Sequence, residues 1–160
     1  MESALPKRKV HHLRGYDYSQ NGAYFITICT HQRRMLFGPN RAPVGADSIS
    51  ARMATRVFRE IIGQYPTVQC RYFVVMPNHF HALVEIERAR ADMESAPTVE
   101  YIHLVKRGQA APFDKHLWQR SFHDHVIRNE TDYRMIAEYI QSNPRLWHKD
   151  CFYEEPSHEP

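Results

Sequence analysis

Long apolar runs are missing from this chain of 160 residues. None approaches the roughly 20 residues that span a bilayer, and the first fourteen positions are polar and basic where a signal peptide would carry an apolar core. The expectation is a soluble, cytoplasmic protein with no membrane partner. Paired cysteines are also missing. Cys29, Cys70 and Cys151 form no CxxC or similar spacing, which argues against a disulfide framework or a zinc ribbon and suits reduced thiols. A large charge of one sign is absent too: 21 Lys and Arg against 18 Asp and Glu leave a formal charge of +3. Such a surface permits a phosphate partner without demanding one. No internal repeat is present, and the length suits one core with short tails. A basic arm is expected over residues 1–13, a single domain over 14–146 and a C-terminal tail over 147–160.

What is present is an alternation of strand and helix signals. Asn21-Gly22 signals a turn, and the β-branched and aromatic run of residues 23–30 follows as a strand. The Gly- and Pro-containing stretch 37–47 reads as a loop ending at an N-cap, Asp47 or Ser48. Ile49, Met53, Val57 with Phe58, and Ile61 then recur at helical spacing as far as Gly63. Two strands are expected over residues 67–76 and 80–87, separated by Pro77-Asn78. In the second, Phe80, Ala82, Val84 and Ile86 face one side and His79, His81, Leu83 and Glu85 the other. A second helix is expected over 98–108, a fourth strand over 118–128 and a third helix over 130–142, stopped by Pro144. The order gives an α+β fold: a mostly antiparallel sheet with helices on one face, leaving the other for function.

Two local patterns could carry chemistry. His79-Phe80-His81 on a strand sets two imidazoles on one face about 7 Å apart along the chain, while Phe80 anchors the strand in the core. His-x-His alone specifies little. His123-Asp124-His125 is a competing pair whose central residue is charged, and it ranks second. Tyr139 and Asn143, four apart near the end of the last helix, share a face distinct from the packing stripe of Tyr133, Ile136, Ala137 and Ile140. By itself that pair reads as easily as rim aromatic and helix stop.

The segment from Val75 to Val84, Val-Met-Pro-Asn-His-Phe-His-Ala-Leu-Val, resembles the histidine-hydrophobe-histidine segment of the single-tyrosine HUH transposases. The stretch from Trp118 to Arg128, followed by Tyr139-Ile-Gln-Ser-Asn143-Pro144, resembles the C-terminal half of the transposases associated with repetitive extragenic palindromes (REP). Gly15-Tyr16-Asp17-Tyr18 leading into residues 22–27 resembles their entry segment. The similarity runs from about Arg14 to about Pro144, with poor matches over 89–97 and 108–114.

The resemblance implies a ferredoxin-like sheet and Tyr139 as nucleophile on a C-terminal helix. It also implies a Mg or Mn ion bound by His79, His81 and Asn143. The implied activity is cleavage and rejoining of single-stranded DNA, in hairpin-forming palindromic repeats, through a 5′-phosphotyrosine, by a monomer or weak homodimer. The alternatives are a non-catalytic binder of single-stranded DNA or hairpins derived from a transposase, and a hydrolase that uses water. His125, Lys106, Arg107, Arg120 and Arg128 are candidate active-site or DNA contacts. Tyr16, Tyr18 and Trp118 could stack unpaired bases, with core packing the preferred reading for Trp118.

Overall fold

The apolar runs of the sequence become four strands, β1 (Gly22–Cys29), β2 (Val68–Met76), β3 (His79–Ile86) and β4 (His123–Ile127), and two helices, α1 (Ile49–Gly63) and α2 (Glu130–Ser142). The structure is a computed structural model that describes residues 13, 15–18, 20–38, 48–87, 117–119 and 121–153. The helix expected over 98–108 lies outside the described residues, as does nearly all of the basic arm.

The strands make one sheet in the order β2-β3-β1-β4, with every neighbouring pair antiparallel. Because β3 lies between β1 and β2, the connection through α1 steps over a strand, which is the split β-α-β arrangement of ferredoxin-like folds. The expected α+β, mostly antiparallel architecture is the one observed. β4 is shorter than the sequence suggests. Among the described residues upstream of it there is an isolated bridge between Trp118 and Thr30, and Trp118 is buried against Phe37, its ring 5.3 Å away.

Ser48 caps α1 by accepting from the Ala51 N–H at 3.0 Å while its own hydroxyl donates to the Phe37 carbonyl at 2.6 Å. The helix turns Ala51, Phe58 and Ile61 into the sheet, with Ala54, Val57 and Ile62 partly covered. Ile49 and Met53, which the periodicity grouped with Val57 and Ile61, stay 74% and 48% exposed. The reason is size: Ala51, at 0% exposure, lets the first turn approach the sheet, and Phe58 packs at an angle between Phe73 and Phe80, ring centres 4.9 and 4.6 Å away.

α1 and α2 cover opposite faces of the sheet, where the sequence led to helices on one face, because Leu83 on the far side of β3 takes its apolar cover from Ala137 and Ile140. Tyr24, Ile26, Ile28, Phe80, Ala82, Val84 and Ile86 form the core beneath α1. On the other face Leu83 packs with Ala137 and Ile140 of α2, flanked by Phe25, Tyr72, Tyr133 and Ile136. The face left free by α1 is therefore shared between α2 and the histidines of β3. The segment expected as a tail from residue 147 is, as far as Tyr153, part of this packed unit: Trp147 is 1% exposed and clusters with Met76, Phe152 and Tyr153.

Candidate active site

Four pieces of backbone converge at one end of this shared face. Strand alternation on β3 points His79 and His81 out of the α1 core, and both are buried, at 0% and 1% exposure. β1 runs alongside in a register that sets Thr27 opposite His81 and Phe25 opposite Leu83. α2 brings Tyr139 and Asn143, one turn apart. The turn after α2, through the short 3-10 segment Trp147–Lys149, brings Asp150.

Each imidazole is fixed from behind. His79 Nδ1 lies 2.8 Å from Asn78 Oδ1, and the Asn78 amide is oriented because its Nδ2 donates to the Phe152 carbonyl at 2.9 Å. An amide oxygen only accepts, so His79 carries its proton on Nδ1 and presents a lone pair at Nε2. His81 Nδ1 lies 2.8 Å from the Thr27 hydroxyl, which can serve either tautomer. The ring of Phe25 stacks on His81 at 5.1 Å, and Phe152 lies against His79 and His81 at 4.7 and 6.2 Å.

The two Nε2 atoms face each other at 2.9 Å, and Asp150 Oδ2 lies 3.8 Å from each. The point equidistant from these three atoms is about 2.1 Å from each, the bond length of Mg, Mn or Zn to oxygen or nitrogen. Among the described residues this is the one group of His, Cys, Asp and Glu able to hold an ion. Neutral imidazole nitrogen and carboxylate oxygen are also the right donors for a divalent first-row metal, and the hydrogen bonds to Nδ1 are the outer support such ligands need. The residues therefore fit a metal ion.

Electrostatics favour the unprotonated cluster. Burial, then the neighbouring His81, hold the His79 imidazole down to about 3, against the partial opposition of Asp150. Burial lowers His81 too, again opposed by Asp150. For Asp150, burial raises the carboxyl, but the His81 imidazole 3.8 Å away and hydrogen bonds from the Phe152 N–H and Asn143 outweigh it and hold the group well below the usual range. Tyr139 is 37% exposed, and its hydroxyl donates to Asp150 Oδ2 at 2.8 Å and lies 3.3 Å from His81 Nε2. Burial, reinforced by the Asp150 carboxylate, pushes the phenol above its ordinary value.

No protein-family model matches the chain. An uncharacterized protein of Haemophilus influenzae is 30% identical over 172 aligned residues, covering 90% of this chain and 94% of the relative. The REP-associated tyrosine transposase of Escherichia coli is 26% identical over 127 residues, covering 79% of this chain and 68% of the relative. A solved structure of a REP-associated tyrosine transposase bound to a REP hairpin shares the fold with a TM-score of 0.57, at 22% identity, over 89% of this chain and 74% of that one. The chain is similar to the REP-associated tyrosine transposases in sequence and fold.

In this transposase-like chain the expected site residues are distributed as follows. His79, His81, Tyr139 and Asn143 come together. Asn143 is 2% exposed; its Nδ2 donates to Asp150 Oδ2 at 2.6 Å and its Oδ1 is buried without a hydrogen-bond partner. His123 and His125 lie on the same sheet face but stand apart from the cluster: His125 is exposed and pairs with Asp132 at 2.9 Å, and the His123 ring is 6.5 Å from that of Phe152. Arg128 is exposed just beyond β4. Lys106, Arg107 and Arg120 lie outside the described residues. Tyr16 and Tyr18 pack edge-on against each other at 4.9 Å beside Tyr24, and the Tyr18 hydroxyl donates to Asp124 at 2.6 Å, so these rings serve the α1 side of the sheet.

Two residues escaped the sequence. Asp150 sits where no periodicity marks a packed segment, though the aromatics Trp147, Phe152 and Tyr153 around it are a signal of burial. Arg33 holds its guanidinium 5.3 Å over Phe152, from a backbone turned to φ 54, and its positive charge reaches His79. Among the described residues no helix is long and apolar enough to cross a membrane.

Proposed function

We propose that this chain cleaves and rejoins single-stranded DNA, using Tyr139 as the nucleophile and a divalent metal, Mg or Mn, held by His79, His81 and one further side chain. The observation that carries the reading is the placement of the Tyr139 hydroxyl, on a different element from the histidines, within 3.3 Å of His81 Nε2. A phosphate bound at the histidines then lies within reach of the phenol oxygen. The palindromic hairpin named with the related structure is the proposed substrate class, and the chain acts as a monomer or weak homodimer.

The proposed step exchanges one phosphodiester for another. The Tyr139 oxygen forms a bond to phosphorus in line with the leaving 3′ oxygen, giving a 5′-phosphotyrosine and a free 3′-OH. Asp150 Oδ2, 2.8 Å from the phenol, orients the hydroxyl; the phenol proton passes to solvent as the new P–O bond forms, and the departing 3′ oxygen takes up a proton from solvent. An ion held by His79, His81 and one further side chain would supply positive charge to the scissile phosphate. Asn78 and Thr27 keep the imidazoles oriented through both cleavage and rejoining. Because bond energy is conserved, no nucleoside triphosphate is needed. Phosphate contacts from Arg33, Arg128, Lys106, Arg107, Arg120 and His125 are part of the same proposal.

A second reading, a non-catalytic hairpin binder, draws on two observations: the phenol is tied to Asp150, and Phe152 lies against the histidines. Purified protein and Tyr139→Phe, mixed with labelled hairpin DNA and Mn, separate the readings. A denaturant-resistant, metal-dependent adduct that vanishes in the variant is expected. Hairpin binding without adduct favours the binder, and cleavage surviving in Tyr139→Phe favours attack by water.

A further inference from the structure

The resemblance assigns the third ligand to Asn143, but the geometry assigns the work differently. Asn143 spends its amide N–H on Asp150 Oδ2 at 2.6 Å. Turning the amide over would set Oδ1 against the carboxylate, so the observed orientation is fixed by chemistry. Asp150 Oδ2 is the oxygen that lies 3.8 Å from both Nε2 atoms, and it completes the triangle whose centre is one bond length from all three. Its other oxygen is held by the Phe152 N–H at 2.7 Å, which pins the carboxylate plane.

Charge points the same way. Asp150 is 9% exposed, and its ion-pair partners among the described residues are His79 and His81. Two ring nitrogens 2.9 Å apart cannot both carry protons. At least one imidazole is therefore neutral at Nε2, and the pocket holds a buried carboxylate that a divalent cation neutralises better than the pair can.

We propose that Asp150, supplied by the turn beyond α2, is the third side chain on the ion, and that Asn143 is the positioning residue that holds it there. This rests on reading His79 and His81 as metal ligands. The consequence is that the metal site and the nucleophile share one carboxylate oxygen, because the Tyr139 hydroxyl donates to the same Oδ2. It also makes the packed turn 147–153 part of the site.

The test needs no DNA. Crystals of the full chain grown with MnCl2 locate the ion by its anomalous scattering. The expected peak is bonded to His79 Nε2, His81 Nε2 and Asp150 Oδ2, with Asn143 Oδ1 beyond bonding distance. A bond to Asn143 Oδ1, with or without Asp150, overturns the proposal. Calorimetric titration of the metal-free protein with MnCl2 is the second readout. Asp150→Asn is expected to weaken binding by more than about 100-fold and Asn143→Ala by about 10-fold, as for loss of a ligand and of its support. Mn in Asn143→Ala should keep its bond to Asp150. Equal, slight effects in both variants contradict the assignment. If circular dichroism shows Asp150→Asn unfolded, the wild-type peak still decides. Mn uptake at these three atoms without DNA cleavage upholds this inference and removes the transposase reading, whereas no Mn uptake removes this one.

Discussion

Replacing Trp147 by alanine tests whether the turn after α2 is structure or tail. The indole is 1% exposed and lies against Met76 and Tyr153, with the His79 ring 5.6 Å away. Burying a side chain of this size removes about 150–250 Å² from water, and truncating a buried Trp to Ala costs about 3–5 kcal/mol. For a chain of this length each kcal/mol shifts the midpoint by about 2–4 °C, so Tm should fall by roughly 6–20 °C. Thermal and urea denaturation followed by circular dichroism measure it. Mn affinity should fall with it, because Asp150 is three residues further along the same turn. A loss below about 1 kcal/mol, the range of surface changes, with Mn binding unchanged, would refute the claim that residues 147–153 pack as described.

Three further outcomes are expected. Thr27→Val removes the hydroxyl 2.8 Å from His81 Nδ1 and should weaken Mn binding by about 10–100-fold in calorimetry, as loss of outer-shell support does. Ser48→Ala removes the cap at the Ala51 N–H and should cost about 1 kcal/mol in urea denaturation. Tyr133 is raised to about 12, first by burial and then by its hydrogen bond to Glu85. A phenol whose folded value exceeds its unfolded one stabilises fully below the unfolded value of about 10 and loses that stabilisation as pH rises through the folded value. Stability should therefore decline between pH 10 and 12, less steeply in Tyr133→Phe, and identical slopes would contradict the Glu85 hydrogen bond.

The sheet and the histidine pair were legible because period-two alternation is local. Phe80, Ala82, Val84 and Ile86 against His79, His81 and Leu83 can be sorted without knowing any partner strand. The ends of α2 were legible too: Asn129 caps the first turn by accepting from the Asp132 N–H, and Pro144 follows the last. The buried face of α1 was not, since it depends on which side chains let two layers approach. Ala51 does so and Met53 does not, a tertiary choice invisible to periodicity. Asp150 was hidden for a related reason. Its position is set by the burial of Trp147 and by single hydrogen bonds from Tyr139, Asn143 and the Phe152 backbone, none of which repeats along the chain.

The claim that Tyr139 becomes joined to DNA is tested most directly by mass spectrometry. Trypsin releases residues 135–145 as one peptide, bounded by Arg134 and Arg145, and Tyr139 is its only tyrosine. After incubation with hairpin DNA and Mn, nuclease trimming and digestion, the account predicts that this peptide carries a nucleotide 5′-phosphate on Tyr139. An unmodified peptide from a reaction in which the DNA has been cut would contradict it.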